Sequence, residues 1–65
     1  MKIKDLALRH VKSDYPVSTD NVVHYVKSQS TQKNIASRTI IALVELQKEG
    51  YICKWDGEED WGIVV

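Results

Sequence analysis

Apolar residues recur along this chain with two periods, and the change from one to the other separates helices from strands. Between Met1 and about Ser13, Ile3, Leu6, Ala7 and Val11 fall at helical spacing, with His10 on the same side. Lys2, Lys4, Arg9 and Lys12 fall mostly on the opposite side. The segment Asp14-Tyr15-Pro16 ends this helix, because proline biases the residue before it away from helical geometry. Pro16-Val17-Ser18 reads as a short extended segment. Ser18 or Thr19 then caps a second helix, and Asp20 in its first turn suits the positive end of the helix dipole. Val22, Val23 and Val26 form its apolar stripe, which fades by Ser28. The polar run Ser28-Gln29-Ser30-Thr31-Gln32-Lys33-Asn34 reads as a turn.

A third helix begins between Asn34 and Ser37 and runs to Glu49. With Leu43 at the centre of the inner face, Ala36, Thr39, Ile40, Leu46 and Gln47 lie within about 60° of it at ~100° per residue. Asn34, Ser37, Arg38, Ile41, Glu45 and Lys48 then point outward. Gly50 stands where a left-handed C-terminal cap is needed, a conformation glycine adopts without a Cβ penalty. Beyond it the period becomes two. Tyr51-Ile52-Cys53-Lys54-Trp55 and Trp61-Gly62-Ile63-Val64-Val65 flank the loop Asp56-Gly57-Glu58-Glu59-Asp60, which predicts a hairpin. Setting Trp55 opposite Trp61 puts Cys53 opposite Ile63 and Tyr51 opposite Val65, with Ile52 and Val64 turned toward the helices.

The predicted elements are therefore helices over 2–13, 19–28 and 35–49, then a hairpin of 51–55 with 61–65. The predicted core comprises Leu6, Val22, Val26, Ile40, Leu43, Leu46 and Ile52. The fold class is α+β, and 65 residues form one domain over 1–65.

Composition narrows the setting. Cys53 is the only cysteine, so no intrachain disulfide forms, and a reducing cytoplasm is the expected compartment. No apolar run approaches the ~18 residues of a membrane span, and no secretory apolar segment opens the chain. Nine basic and nine acidic residues cancel overall. Residues 1–48 hold eight Lys/Arg against Asp5, Asp14, Asp20 and Glu45, whereas 49–65 hold Lys54 against Glu49, Asp56, Glu58, Glu59 and Asp60. A basic helical part joined to an acidic tail suggests a directional partner surface.

The order helix, extended segment, helix, turn, helix, hairpin, with Ser37-Arg38-Thr39-Ile40 followed by Leu43, Leu46, Gly50, Tyr51 and Ile52, resembles the winged helix-turn-helix family. The last helix and first wing strand look like those of MarR-type and related bacterial or viral regulators. Topologically the resemblance covers nearly the whole chain, and in sequence it rests on residues 37–52. It implies a second helix that positions a third, whose outer N-terminal face enters a DNA major groove. It also resembles compact stand-alone phage-, plasmid- or archaeal-type regulators. Two features depart from the family pattern. The wing tip is acidic where DNA-contacting wings carry Arg or Lys, and Ile41 and Glu45 lie on the outer face of the third helix.

Under that resemblance, the candidate DNA-binding residues are Thr31, Gln32, Lys33, Asn34, Ser37, Arg38 and Ile41. Arg38 leads because its planar fork can bond two guanine acceptors, although an arginine there also serves as a solvated helix residue. Ser37 and Asn34 double as ordinary helix-start residues. Thr31, Gln32 and Lys33 occupy the turn, where contacts to the DNA backbone position a protein. Ile41 suits a thymine methyl or a partner subunit. Trp55 and Trp61 read as a cross-strand pair holding the hairpin, more readily than as a base-stacking platform. The acidic loop lacks the ligands of a calcium loop. His10, His24 and Cys53 lack zinc spacing. No nucleophile-base-orienter set is present, so no metal, cofactor, small-molecule substrate or enzymatic activity is expected.

Two functions follow as expectations. One is a small DNA-binding transcriptional regulator or accessory factor acting on double-stranded DNA, as a homodimer or with a protein partner. The other is a winged-helix protein-protein interaction module, an adaptor or inhibitor, using the acidic wing and apolar surface. Lys27, Lys33, Arg38 and Lys48 gathered on one surface with the third helix favour the first. Scattered basic residues favour the second.

Overall fold

Three helices and a short ribbon account for the chain in a computed structural model that describes residues 2–55 and 60–64. They are α1 (Ile3–Asp14), α2 (Thr19–Gln29), α3 (Ile35–Lys48), β1 (Ile52–Lys54) and β2 (Trp61–Ile63). The strands pair antiparallel. The architecture is α+β, three helices followed by a C-terminal β-hairpin, consistent with a winged helix-turn-helix layout. The acidic residues Asp56, Glu58 and Glu59, with Gly57, lie outside the described residues, as do Met1 and Val65.

The sequence signals act at the expected places. The Ser18 hydroxyl accepts the backbone N–H of Asn21 at 3.1 Å, capping α2. Gly50 adopts φ +86°, and the chain leaves α3 through a Schellman motif. In it the N–H of Tyr51 bonds the Leu46 carbonyl and that of Gly50 bonds the Gln47 carbonyl. The α1 stripe is buried as read, with Ile3, Leu6, Ala7, His10 and Val11 inward. Val22 and Val26 of α2, Leu43 and Leu46 of α3, and Ile52 of β1 complete the centre of the core. Each side chain of this kind contributes about 1.5–3 kcal/mol when fully buried.

The face of α3 differs from the expected one. Ile35, Thr39, Ala42, Leu43 and Leu46 are buried, while Ala36, Ile40 and Gln47 are exposed. At ~100° per residue the buried face is centred roughly 55° away from Leu43, on the Ala42 side. Ile40 therefore leaves the core, and the outward direction is held by Ser37, Val44 and Lys48. The cause is an arc of aliphatic residues too wide for one core to cover. Something had to remain outside, and the smaller Thr39 and Ala42 went in.

Burying Thr39 has a cost. Its side-chain oxygen is fully shielded and has no hydrogen-bond partner among the described residues. A buried hydroxyl without a partner costs about 1–3 kcal/mol. Thr39→Val, which keeps the shape and removes the polar atom, is expected to raise stability by about 1 kcal/mol, or ~4–8 °C in Tm for a domain of this size. A thermal scan showing a lower Tm for that variant would mean the hydroxyl has a partner.

The ribbon register is also shifted from the expected one. Ile52 pairs with Ile63, Cys53 with Gly62 and Lys54 with Trp61. A one-residue shift sends side chains to opposite faces, so Trp55 and Trp61 do not form a cross-strand pair. Trp61 turns inward, and Trp55 lies across Gly62 on the other face. A Cβ at Gly62 would collide with the Trp55 indole, so any other residue there would displace the indole from its place. The indole is held by a 3.2 Å bond from its Nε1–H to the Ile63 carbonyl and by an edge contact with Tyr15 at 5.5 Å. Ile52 faces the helices as expected, whereas Val64 is exposed. The expected pairing of Tyr51 with Val65 involves a residue outside the described set. The extended segment is present too. Val17 bridges antiparallel to Trp61, each N–H bonding the other's carbonyl, at 3.0 and 2.6 Å.

Candidate nucleic-acid interface

The turn between α2 and α3 is built by residues with little to bury. Thr31, Gln32, Lys33, Asn34, Ser37, Arg38 and Ile41 are all exposed. Asn34 enters α3 in the left-handed region, at φ 57° and ψ 40°, which asparagine tolerates better than most side chains. In this conformation its side chain makes no cap hydrogen bond. Asn34 thus stands at the helix start as expected, but it serves through its backbone geometry and not through a side-chain cap. The first turn of α3 also contains no acidic residue. The positive end of the helix dipole thus meets solvent with neither a side-chain cap nor a carboxylate at its start.

Two bonds shape the turn. The Ser30 hydroxyl accepts the N–H of Gln32 at 3.3 Å, and Arg38 donates from Nη1 to Oε1 of Gln32 at 3.0 Å. The second bond reaches back six residues and aims the guanidinium over the turn. Because α3 is rotated, Arg38 and Glu45 sit on the flank of the helix and not at its outermost line. A shallow groove of about 350 Å³ runs along that flank, lined by Lys2, Lys4, Gln32, Arg38, Ile41 and Glu45. Lys4 also bonds across to Glu49, with its Nζ 2.7 Å from Oε1. That hydrogen bond, opposed by slight desolvation and helped by nearby negative charge, raises the Lys4 pKa above its ordinary 10.5. The α1 contribution to this groove was not legible in the sequence, because only the packing of α1 on α3 brings Lys2 and Lys4 beside Arg38.

Basic residues gather only in part. Lys27, Lys33 and Arg38 are near the α2–α3 turn by chain position, while Lys48 is in the last turn of α3. Ten residues separate Arg38 from Lys48, roughly 15 Å along the axis.

A second groove of about 160 Å³ lies between α3 and the ribbon, with Thr19, Ile40, Val44, Gln47, Lys54 and Trp61 in its lining. The Lys54 ammonium stands over the Trp61 ring at 5.2 Å, a favourable placement for a cation on an aromatic face. Sequence reasoning missed this groove because it assigned Ile40 to the core and the two tryptophans to each other.

The histidines and the cysteine have separate surroundings. His10 stacks on Tyr25 with centroids 4.3 Å apart, and its Nε2 shares a 2.6 Å hydrogen bond with Asn21 Oδ1. This joins α1 to α2. His24 is exposed, and Cys53 sits half-buried in the ribbon. Among the described residues, no group of three His, Cys, Asp or Glu side chains could hold a metal ion, and no helix is long and apolar enough to cross a membrane. Comparison with known proteins finds no matching protein-family model, no matching curated protein and no matching solved structure.

Proposed function

We propose that the chain is a small winged helix-turn-helix DNA-binding protein, a transcriptional regulator or accessory factor, that presents the α2–α3 turn and the start of α3 to double-stranded DNA. The observation that carries this reading is the open N-terminus of α3. It lacks a side-chain cap and a first-turn carboxylate, it is flanked by exposed Thr31, Gln32, Lys33, Asn34 and Ser37, and Arg38 bonds back to Gln32 beside it. Free N–H groups, a positive dipole end and two cations form a phosphate-binding arrangement. Arg38 adds a fork suited to guanine. Entry is end-on, because the middle of α3 exposes aliphatic side chains.

Titration with duplex DNA at two salt concentrations tests this reading. Binding is expected to weaken with salt at a log-log slope of roughly −0.9 per phosphate neutralised. Arg38→Ala should cost ~1–3 kcal/mol and relax preference at one base pair, while Lys33→Ala should weaken all sequences alike. Unchanged affinity and preference for Arg38→Ala would remove the start of α3 from the groove.

One observation favours a second reading, a protein-interaction module. Ile40, Ile41 and Val44 are exposed together on α3, and the acidic segment from Asp56 to Asp60 would be repelled by DNA phosphates. For this module, a duplex titration without any salt-dependent binding is the expected result.

A further inference from the structure

The outward side of α3 bears more apolar surface than a solvated helix face needs. Ile40 is 48% exposed, Ile41 58% and Val44 40%. All three are β-branched, a class that slightly lowers helix propensity, so local helix formation gives no reason for their presence. A contiguous exposed apolar patch with a polar rim marks a contact site.

The rim of this patch carries a pattern that identifies its occupant. Arg38 and Glu45 are seven residues apart, so they lie on the same flank of α3, about 10 Å apart along the axis and rotated by only ~20°. Both line the same groove with Ile41 between them. They carry opposite charges. A two-fold axis perpendicular to α3 near Ile41 reverses height along the helix and preserves the flank. It therefore sets Arg38 of one chain beside Glu45 of the other, and Glu45 beside Arg38. On the opposite rim, Ile40 and Val44 of one chain meet Val44 and Ile40 of the second. A patch that complements itself under two-fold rotation is what an isologous dimer requires.

We propose that the partner of this surface is a second copy of the chain, docked with the two α3 helices antiparallel, Ile41 at the centre and two Arg38–Glu45 pairs across the interface. A single helix crossing buries less than the ~800 Å² per partner of a standard interface, so the dimer is weak and forms at ~100 µM chain. The proposal goes beyond the DNA-binding reading and does not rest on it. The two uses share Arg38, so a paired chain cannot offer that residue to DNA.

Analytical ultracentrifugation of the full chain, without nucleic acid, from about 10 µM to 1 mM tests the pairing. The expected result is a monomer that becomes a dimer across that range. Ile41→Asp should leave a monomer throughout, with an unchanged circular dichroism spectrum because the side chain is exposed. Arg38→Glu and Glu45→Arg should each weaken dimerisation by about tenfold, since each sets two pairs of like charges face to face. The double variant Arg38→Glu/Glu45→Arg should restore it to within about threefold of the unmodified chain. A chain monomeric at every concentration overturns the proposal. So does a dimer indifferent to Ile41→Asp, or a double variant as weak as either single one. Duplex titration is a separate measurement, so the loss of either reading leaves the other standing.

Discussion

Trp61→Ala is expected to lower the stability of the chain by about 3–5 kcal/mol, roughly a third of the total or more. Trp61 is 3% exposed, and several parts of the structure meet on it. Its indole N–H bonds the Thr19 hydroxyl at the start of α2 at 2.9 Å. Its backbone bridges Val17 in both directions, and the Lys54 ammonium covers its ring. Truncating a buried tryptophan costs about 3–5 kcal/mol, while a chain of this length has a total stability of about 3–10 kcal/mol. The loss is therefore at least about a third of the whole margin. Trp61→Phe separates the contributions. It keeps an apolar ring but leaves the Thr19 hydroxyl without its donor, and should cost about 1–3 kcal/mol. Urea unfolding followed by circular dichroism measures both. A Trp61→Ala chain with a midpoint close to the unmodified one would show that the ribbon does not hold the helices together.

The second large effect is a contrast within α3. Leu43→Ala should destabilise by about 2–5 kcal/mol, because Leu43 is 1% exposed and its removal leaves a cavity. Ile40→Ala should change stability by less than about 1 kcal/mol, because much of that side chain already meets water. The pair fixes the rotation of the helix. If Ile40→Ala were the more damaging substitution, the buried face would be the one that periodicity alone suggests. Both variants can be read from the same urea experiment, and their urea m values should match unless the unfolded state has changed.

This contrast also shows what the sequence could convey. The three helices were legible because α1 and α2 each carry one apolar stripe with polar residues opposite, bounded by Pro16, Ser18 and the polar run after Val26. The end of α3 was legible because Gly50 is the residue a left-handed cap requires. The rotation of α3 was not legible. Ile35, Ile40, Ile41, Leu43, Val44 and Leu46 spread around so much of the helix that periodicity accepts several centres, and packing alone selects among them. The ribbon register was not legible either. It depends on Trp55 lying over Gly62 and on Trp61 pairing with Val17, and both are contacts between distant parts of the chain. For the candidate interface, exposure of the α2–α3 turn followed from its polar run. The bond from Arg38 to Gln32 and the groove beside Lys2 and Lys4 arise only once α1 and α3 are packed.

The bridge between Val17 and Trp61 has a kinetic consequence. It joins residues 44 positions apart in sequence (61 − 17), a span matched in the packing of α1 on α3, where Lys4 reaches Glu49 across 45 positions. Chain closure over such a distance must be met before the pairing returns any free energy, and that ordering slows the step. The ribbon cannot precede it, because two strands of three residues are too short to persist in water alone. The ribbon therefore forms only against the packed helices, with Val17 as its landing strip. The groove between α3 and Trp61 exists only while the ribbon is docked, because Lys54 and Trp61 form one of its walls.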